Sequence, residues 1–390
     1  MRTIGVVTSS RADYGIYLPI LRRLSKEPGL ETRLFVTGMH LSPDFGRTVE
    51  AIEADGFAIQ QRVEMLLASD TPEAIAKSMG LGTIGFAQAY SRWRPDMLVV
   101  LGDRFEMHAA AVAAVPFKIP IAHIHGGEVT EGAIDDVFRH SMTKLSHLHF
   151  VSTEVYAKRV IQMGEEPWRV TVTGAPSLDN LNGFVPIALK ELEALVGMAL
   201  PEGGFLLVTF HPVTLEYERA GEQADALLAA LASAAIPIVF TLPNADTAGR
   251  VIRERILSFV GRTPTARAVE SLGTRGYFSL MARAAAMVGN SSSGLLEAPS
   301  FHLPVVNIGT RQRGRLRAGN VLDCGSTQDE IVIALAKALS PKFTLSLSDV
   351  VNPHGDGDAA ERITAALKDV SLDARLVAKR FLDIPKESIG

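Results

Sequence analysis

The sequence predicts an α/β protein built as two parallel-sheet lobes, and three observations carry that expectation. Short apolar runs rich in Val, Ile and Phe recur along the chain with helix-length amphipathic segments between them. This is the pattern of βαβ units whose strands are buried on both faces. A stretch rich in Pro, Gly and Asn interrupts the alternation near the middle of the chain. Polar and ionisable residues crowd just after the apolar runs, at what become the carboxyl ends of strands, where open α/β sheets bind ligands. The length of 390 residues agrees with two or three domains of roughly 150 residues each.

Taken in order, the first run, at 3–8, carries Ile4, Val6 and Val7 and is closed by Ser9-Ser10-Arg11. It is too short for a signal-peptide core and no small-residue cleavage site follows, so it is expected as a first strand. The run at 32–37 brings Leu34, Phe35 and Val36, and the uninterrupted Met-Leu-Val-Val-Leu at 97–101 reads as a central strand. Further strands are expected at 119–124, 148–151 and 170–173, and in the second half at 205–210, 236–241, 285–288, 305–308 and 321–323. Gly174-Ala175-Pro176, the segment 180–186 and the Pro-Glu-Gly-Gly at 201–204 mark the break between halves. The expected division is therefore a lobe over 1–180 and a lobe over 181–372. A C-terminal helix at about 373–390, clearest at 374–382, is expected to cross back onto the first lobe by analogy with two-lobed proteins.

Composition narrows the function. Lys and Arg total 39 against 43 Asp and Glu, a net charge of −4, with 47% hydrophobic and 21% charged residues. That balance excludes a disordered, collagenous or coiled-coil chain and offers no clustered cation surface for nucleic acid or acidic membrane. The single cysteine, Cys324, forms no intrachain disulfide and no zinc cluster, which points to the cytoplasm. The longest apolar stretch, 226–240, contains Ser233 and Pro237 and falls short of the roughly 18 to 20 residues of a membrane span. No short-period repeat is visible.

Each polar cluster has a bland and a functional reading. Asp103, straight after the central strand, is either a helix cap beside its partner Arg104 or a group facing a ligand. His123 and His125 are either turn histidines satisfied by backbone or, with Glu128, proton-transfer groups; a metal site is a third reading. Asp135 and Asp136 open a helix also carrying Arg139 and His140, where acids favour the macrodipole, yet neighbouring carboxylates raise at least one pKa and suit acid–base work. Ser291, Ser292, Ser293 and Gly294 either cap a helix or receive phosphate oxygens, following Asn290. Glu297 is placed to accept from a ribose diol. Arg311, Arg313, Arg315 and Arg317 form a basic loop that either faces acids or holds a diphosphate. The absence of a Gly-x-Gly-x-x-Gly after the first strand and of any Gly-x4-Gly-Lys-Ser/Thr weakens nicotinamide binding and P-loop phosphotransfer.

In combination these segments resemble a known family. Ser10-Arg11-Ala12-Asp13-Tyr14-Gly15, Gly102-Asp103-Arg104-Phe105-Glu106, His123-Ile124-His125-Gly126-Gly127-Glu128 and Asp135-Asp136-x2-Arg139-His140 lie in the first half. His211-Pro212-Val213-Thr214, Gly289-Asn290-Ser291-Ser292-Ser293-Gly294 and Gly309-Thr310-Arg311-Gln312 follow in the second. Together they resemble the hydrolysing UDP-N-acetylglucosamine 2-epimerases of sialic- and legionaminic-acid synthesis. The resemblance implies a GT-B-like fold of two Rossmann-like lobes with an interlobe active-site cleft. It also implies release of UDP and a 2-epimerised sugar with no cofactor and no metal, and a homodimer or homotetramer.

Position by position, Asp103, Glu128, Asp135 and His211 resemble the family's proton-transfer positions, with His40, His123, His125 and Asp136 beside them. Arg11 and Arg104 look like leaving-group contacts, Ser292 and Ser293 like diphosphate holders, Glu297 like the ribose ligand and Arg311 or Arg313 like a further phosphate contact. Tyr277 and Phe278 fall where uracil is received, or else in the core. Some relatives carry Glu where this chain has His125, so either His125 or one of the carboxylates Glu128 and Asp135 moves the proton here. The sugar itself stays open between UDP-N-acetylglucosamine and its 4-acetamido-4,6-dideoxy relative, and a nucleotide-retaining epimerase is a further alternative.

Overall fold

The structure is a computed structural model that describes residues 1–201, 204–244, 246–270 and 272–383. It resolves into two compact units. The first comprises Met1–Glu128, Asp135–Asn182 and the chain from His354 on, and the second Val129–Ile134 and Gly183–Pro353.

In the first unit seven strands, β1 (Arg2–Thr8), β2 (Leu30–Thr37), β3 (Ile59–Val63), β4 (Met97–Leu101), β5 (Ile121–Ile124), β6 (Leu148–Val151) and β7 (Val170–Val172), run in the order β3-β2-β1-β4-β5-β6-β7. The second unit has β8 (Leu206–Thr209), β9 (Ile238–Thr241), β10 (Ala266–Val269), β11 (Ala286–Gly289), β12 (Val305–Ile308) and β13 (Val321–Cys324) in the order β10-β9-β8-β11-β12-β13. All pairings are parallel. Each sheet therefore reverses its strand order once, between β1 and β4 and between β8 and β11, and such a reversal opens a crevice at the carboxyl ends.

The apolar runs became the buried strands: every residue of β4 and of β8 is buried. Two strands were not expected, β3 and β10. Both lie at a sheet edge, and their sequences Ile-Gln-Gln-Arg-Val and Ala-Arg-Ala-Val are partly exposed, so no continuous apolar signal marks them.

The return to the first unit comes earlier than the expected 373. The helix Ala359–Asp369 places Ile363 and Leu367 in one core with Leu21 and Leu24 of the helix Arg11–Leu24. Its first turn is held by Asp179, whose carboxylate accepts from the amides of Ala359 at 3.0 Å and Ala360 at 2.6 Å. The helix expected over 374–382 is shorter, Ala374–Val377, and 384–390 of the expected segment lie outside the described residues. Arg169 donates to the carbonyls of Leu376 at 2.9 Å and Arg375 at 2.8 Å, which ends the helix at a fixed place. No helix among the described residues is long and apolar enough to cross a membrane.

Candidate active site

The loop after β1 is organised by Asp13. Ser10 and Asp13 form a capping box at the start of the helix Arg11–Leu24. The Asp13 carboxylate also accepts from the Ser9 amide at 3.0 Å, the Ser9 hydroxyl at 2.7 Å, the Ser10 amide at 2.9 Å and the Thr8 hydroxyl. Burial pushes this carboxyl up, but His40 and the hydroxyls of Thr8 and Ser9 outweigh it and hold it below the usual range. His40 is fully buried, its Nε2 at 2.9 Å from the Thr8 hydroxyl and its Nδ1 at 2.7 Å from that of Thr48. Both ring nitrogens are occupied, so His40 braces the loop that presents Arg11.

After β4 the chain gives Asp103 and Arg104. The Arg104 guanidinium is forked onto the buried Glu106, Nε to Oε2 at 3.1 Å and Nη2 to Oε1 at 3.0 Å. Asp103 meets Arg139 instead. Arg139 is fully buried on the helix Asp135–Leu145 and donates Nη1 to the His125 carbonyl at 3.1 Å, with Glu128 Oε2 at 3.8 Å. Burial lowers its pKa, but Asp103, Glu128, Asp136 and Asp135 outweigh burial and raise it. One buried guanidinium thus gathers the field of all four carboxylates singled out in this half of the sequence. Asp136 also pairs with His140 one turn on, at 3.4 Å.

The end of β5 divides its two histidines. His123 is buried, donates Nε2–H to the Gly102 carbonyl at 2.8 Å and has the Thr143 hydroxyl 3.4 Å from Nδ1. Burial pushes it down to about 3, so the ring is neutral and props the Gly102–Asp103 turn. His125 has φ 65°, a left-handed conformation costly for a residue with a Cβ, anchored by its amide's bond to the Phe150 carbonyl at 2.9 Å. Its Nδ1 lies 2.5 Å from Glu128 Oε1. The intervening Gly127, at φ 74°, turns where a Cβ would meet the Tyr156 carbonyl at 2.4 Å, which brings Glu128 back to His125.

In the second unit Asn290 locks two strand ends together. Its side chain accepts from the His211 amide at 2.7 Å and donates to the His211 carbonyl at 2.8 Å. Its own carbonyl accepts from Gln312 at 2.7 Å and Arg311 at 3.3 Å. Gly289, φ 134°, precedes it where a Cβ would stand 2.0 Å from the Thr209 carbonyl, so only glycine lets β11 close on β8 here. His211 is buried with Nδ1 3.9 Å from Asp246.

Ser291, Ser292 and Ser293 are half-buried, and the Ser293 amide donates to the Ser291 hydroxyl at 3.3 Å; Gly294 is buried behind them. Tyr277 turns its hydroxyl to Thr209, Ser293 and Ser291; burial raises it to about 12. Phe278 goes the other way. It is 3% exposed and edge-on to Phe184 and Phe301, with centroids 5.8 and 5.4 Å away, which places it in the core rather than against a base. Glu297 is buried at the end of the helix Ser293–Leu296, whereas Arg313 is exposed.

The first unit thus brings together Asp103, His125, Glu128, Asp135, Asp136 and Arg139, and the second brings together His211, Asn290, the three serines, Tyr277 and Arg311. The segment Val129–Ile134, between Glu128 and Asp135, belongs to the second unit: the Glu131 amide donates to the Arg313 carbonyl at 3.3 Å and the Ile134 amide to the Thr214 hydroxyl at 2.9 Å. Sequence reasoning missed the roles of Asp13, Glu106 and Asp246. The Ser-x-x-Asp spacing of a capping box was a usable signal for the first, and the Arg-x-Glu spacing for the second; nothing local marks the pairing of Asp246 with His211. Among the described residues no group of three or more His, Cys, Asp or Glu is arranged to hold a metal ion.

The chain is 37% identical over 380 residues to the UDP-N,N'-diacetylbacillosamine 2-epimerase (hydrolyzing) of Legionella pneumophila, covering 97% of this chain and 99% of that one. It is 38% identical over 386 residues to the GDP/UDP-N,N'-diacetylbacillosamine 2-epimerase (hydrolyzing) of Campylobacter jejuni, covering 98% and 99%. In fold it is similar to the crystal structure of the Neisseria meningitidis UDP-GlcNAc 2-epimerase bound to UDP-GlcNAc, with a TM-score of 0.81 at 18% identity over 95% of this chain and 100% of that one. The two doubly wound units are GT-B-like, as the resemblance implied. A family profile described as UDP-N-acetylglucosamine 2-epimerase matches residues 22–368, and the chain belongs to that family, among its hydrolysing relatives.

Proposed function

We propose that this protein is a hydrolysing sugar-nucleotide 2-epimerase that takes a UDP-linked 2-acetamido sugar and water and releases UDP and the free 2-epimer. A base removes the C2 proton as the C1–oxygen bond to UDP breaks, giving a 2-acetamidoglucal; water then adds and C2 receives a proton from the other face. Such chemistry needs several positioned acids and bases. The observation that carries the reading is the gathering of Asp103, Glu128, Asp135 and Asp136 about the buried Arg139, with His125 hydrogen-bonded to Glu128. A protein that only binds a nucleotide has no use for such a set.

On this reading Arg11, Arg104, Ser292, Ser293, Arg311 and Arg313 receive the diphosphate, whose charge grows as it leaves. Glu297 takes the ribose and Tyr277 lies at the base. The names of the Legionella and Campylobacter relatives, at 37% and 38% identity, favour UDP-2,4-diacetamido-2,4,6-trideoxyglucose as donor. The meningococcal structure, which holds UDP-GlcNAc, supports UDP-N-acetylglucosamine as the second reading.

Proton NMR of incubations in heavy water with each donor decides. Expected are free UDP and a free 2-epimerised sugar deuterated at C2, with the diacetamido donor turned over faster. A nucleotide-linked epimer points to the retaining reaction, and a product without deuterium at C2 removes epimerisation altogether.

A further inference from the structure

We propose that His125, through Nε2, is the base that takes the C2 proton, and that Glu128 is a positioning residue acting through it; this rests on the epimerase reading above. The ring is 4% exposed, and its Nε2 is a buried atom with no hydrogen-bond partner among the described residues. A buried polar atom left unpaired costs free energy, so its retention calls for an explanation. Two residues earlier His123 shows the contrasting case, a buried strand-end histidine with both nitrogens occupied.

The other nitrogen fixes the tautomer. A carboxylate only accepts, so Glu128 Oε1 at 2.5 Å places the proton on Nδ1 and leaves a lone pair on Nε2. Glu128 Oε2 faces Arg139 at 3.8 Å, which keeps the carboxylate oriented. The left-handed backbone at His125, tied to the Phe150 carbonyl and to Arg139, aims the ring and is the kind of strain that functional positions retain. Asp103, another carboxylate of this cluster, is already engaged in an ion pair with the buried Arg139 guanidinium.

The step balances as follows. The Nε2 lone pair takes the C2 proton, the C2–H electrons become the C1=C2 double bond, and the C1–O pair departs on the diphosphate. The imidazolium is stabilised by Glu128 and loses its proton to solvent. In the hydration a carboxyl group protonates C2, water attacks C1, and the proton released by that water restores the carboxyl group.

The test uses the full-length enzyme and whichever of the two donors it turns over. His125→Ala is expected to lower kcat by about 10³-fold, with KM and UDP affinity within threefold of the parent. Added imidazole is expected to restore at least tenfold of the loss. Glu128→Gln is expected to lower kcat by no more than His125→Ala does, while the double variant is no slower than His125→Ala and is no longer rescued. If His125→Ala misfolds, His125→Glu, which puts a carboxylate at the same position, carries the test and is expected to regain a measurable kcat. The proposal is overturned if His125→Ala keeps kcat within threefold, or if the two losses multiply. A wild-type enzyme that releases UDP from neither donor sinks the epimerase reading itself, a result separate from any variant effect.

Discussion

Tyr277 and Phe278 are neighbours with opposite duties. Phe278→Ala empties an aromatic cluster and is expected to destabilise the second unit by about 3 to 5 kcal/mol, read as a lowered midpoint in a denaturant titration. Tyr277→Phe removes only a hydroxyl among Thr209, Ser293 and Ser291, and about 1 kcal/mol of hydrogen bonding. Its expected effect is severalfold weaker UDP binding by calorimetry with an unchanged midpoint; the reverse pattern would exchange their roles. The sequence could not separate them, because adjacent helix positions point about 100° apart and the hydropathy of Tyr and Phe says nothing of which faces the core. His123 and His125 pose the same problem at a strand end, where i and i+2 would share a face but the left-handed backbone of His125, just past β5, sends them to different partners. The motif was legible at both places; which member turns away from the core or is left with an unpaired nitrogen was set by backbone conformation that no side-chain pattern encodes.

At the scale of elements, the short helix Ala374–Val377 and the residues after it are held by a charge cluster rather than by an apolar stripe. Glu165 is buried and accepts from Lys144 at 2.6 Å, Lys379 at 2.8 Å and His149 at 3.1 Å. Burial pushes Glu165 up, but His149 and the two lysines outweigh it and bring it down to about 2 from an ordinary 4.5. Between those values the unfolded chain binds a proton that the folded chain does not, so stability rises with pH across the window and is lost as pH falls through it. Trp168, stacked by Arg169 at 4.2 Å and Arg375 at 4.6 Å, is a local reporter. Acidification from pH 5 to pH 3 is expected to change its fluorescence in a Trp93→Phe background, and Glu165→Gln to abolish that dependence; an identical titration in the Gln variant would refute the assignment. Periodicity found strands well because burial on both faces leaves continuous apolar runs. It failed for this tail and for β3 and β10, where cohesion comes from long-range polar pairs or from an edge with one side open.

At the scale of the molecule, the two sheets share one strand order apart from the additional β7, yet no repeat is visible in the sequence. The right-handed crossover rule and the need to cover both sheet faces reproduce the topology with unrelated side chains. The same order places both loaded rims at carboxyl ends beside the reversal points, which is why the fold class and the polar rims of the candidate site were legible in one chain. A return was expected only by analogy and only from about 373, since nothing in Ala359–Asp369 announces which surface its apolar stripe will meet. Shortening the chain at Pro353 removes Ile363, Leu367 and Leu376 from the first core. Each is worth about 1.5 to 3 kcal/mol when buried. The expected result is loss of cooperative melting of the first unit in calorimetry, while the transition of the second survives; two intact transitions would show the returning segment to be dispensable.

That return also sets an order of events during translation. The first unit encloses the second in the chain, so residues 183–353 are all synthesised while the first sheet still lacks the helix Ala359–Asp369. Domains fold as units as they emerge. The sheet made first is therefore the last to be completed, and it waits on the ribosome with part of its core uncovered until its final helix arrives.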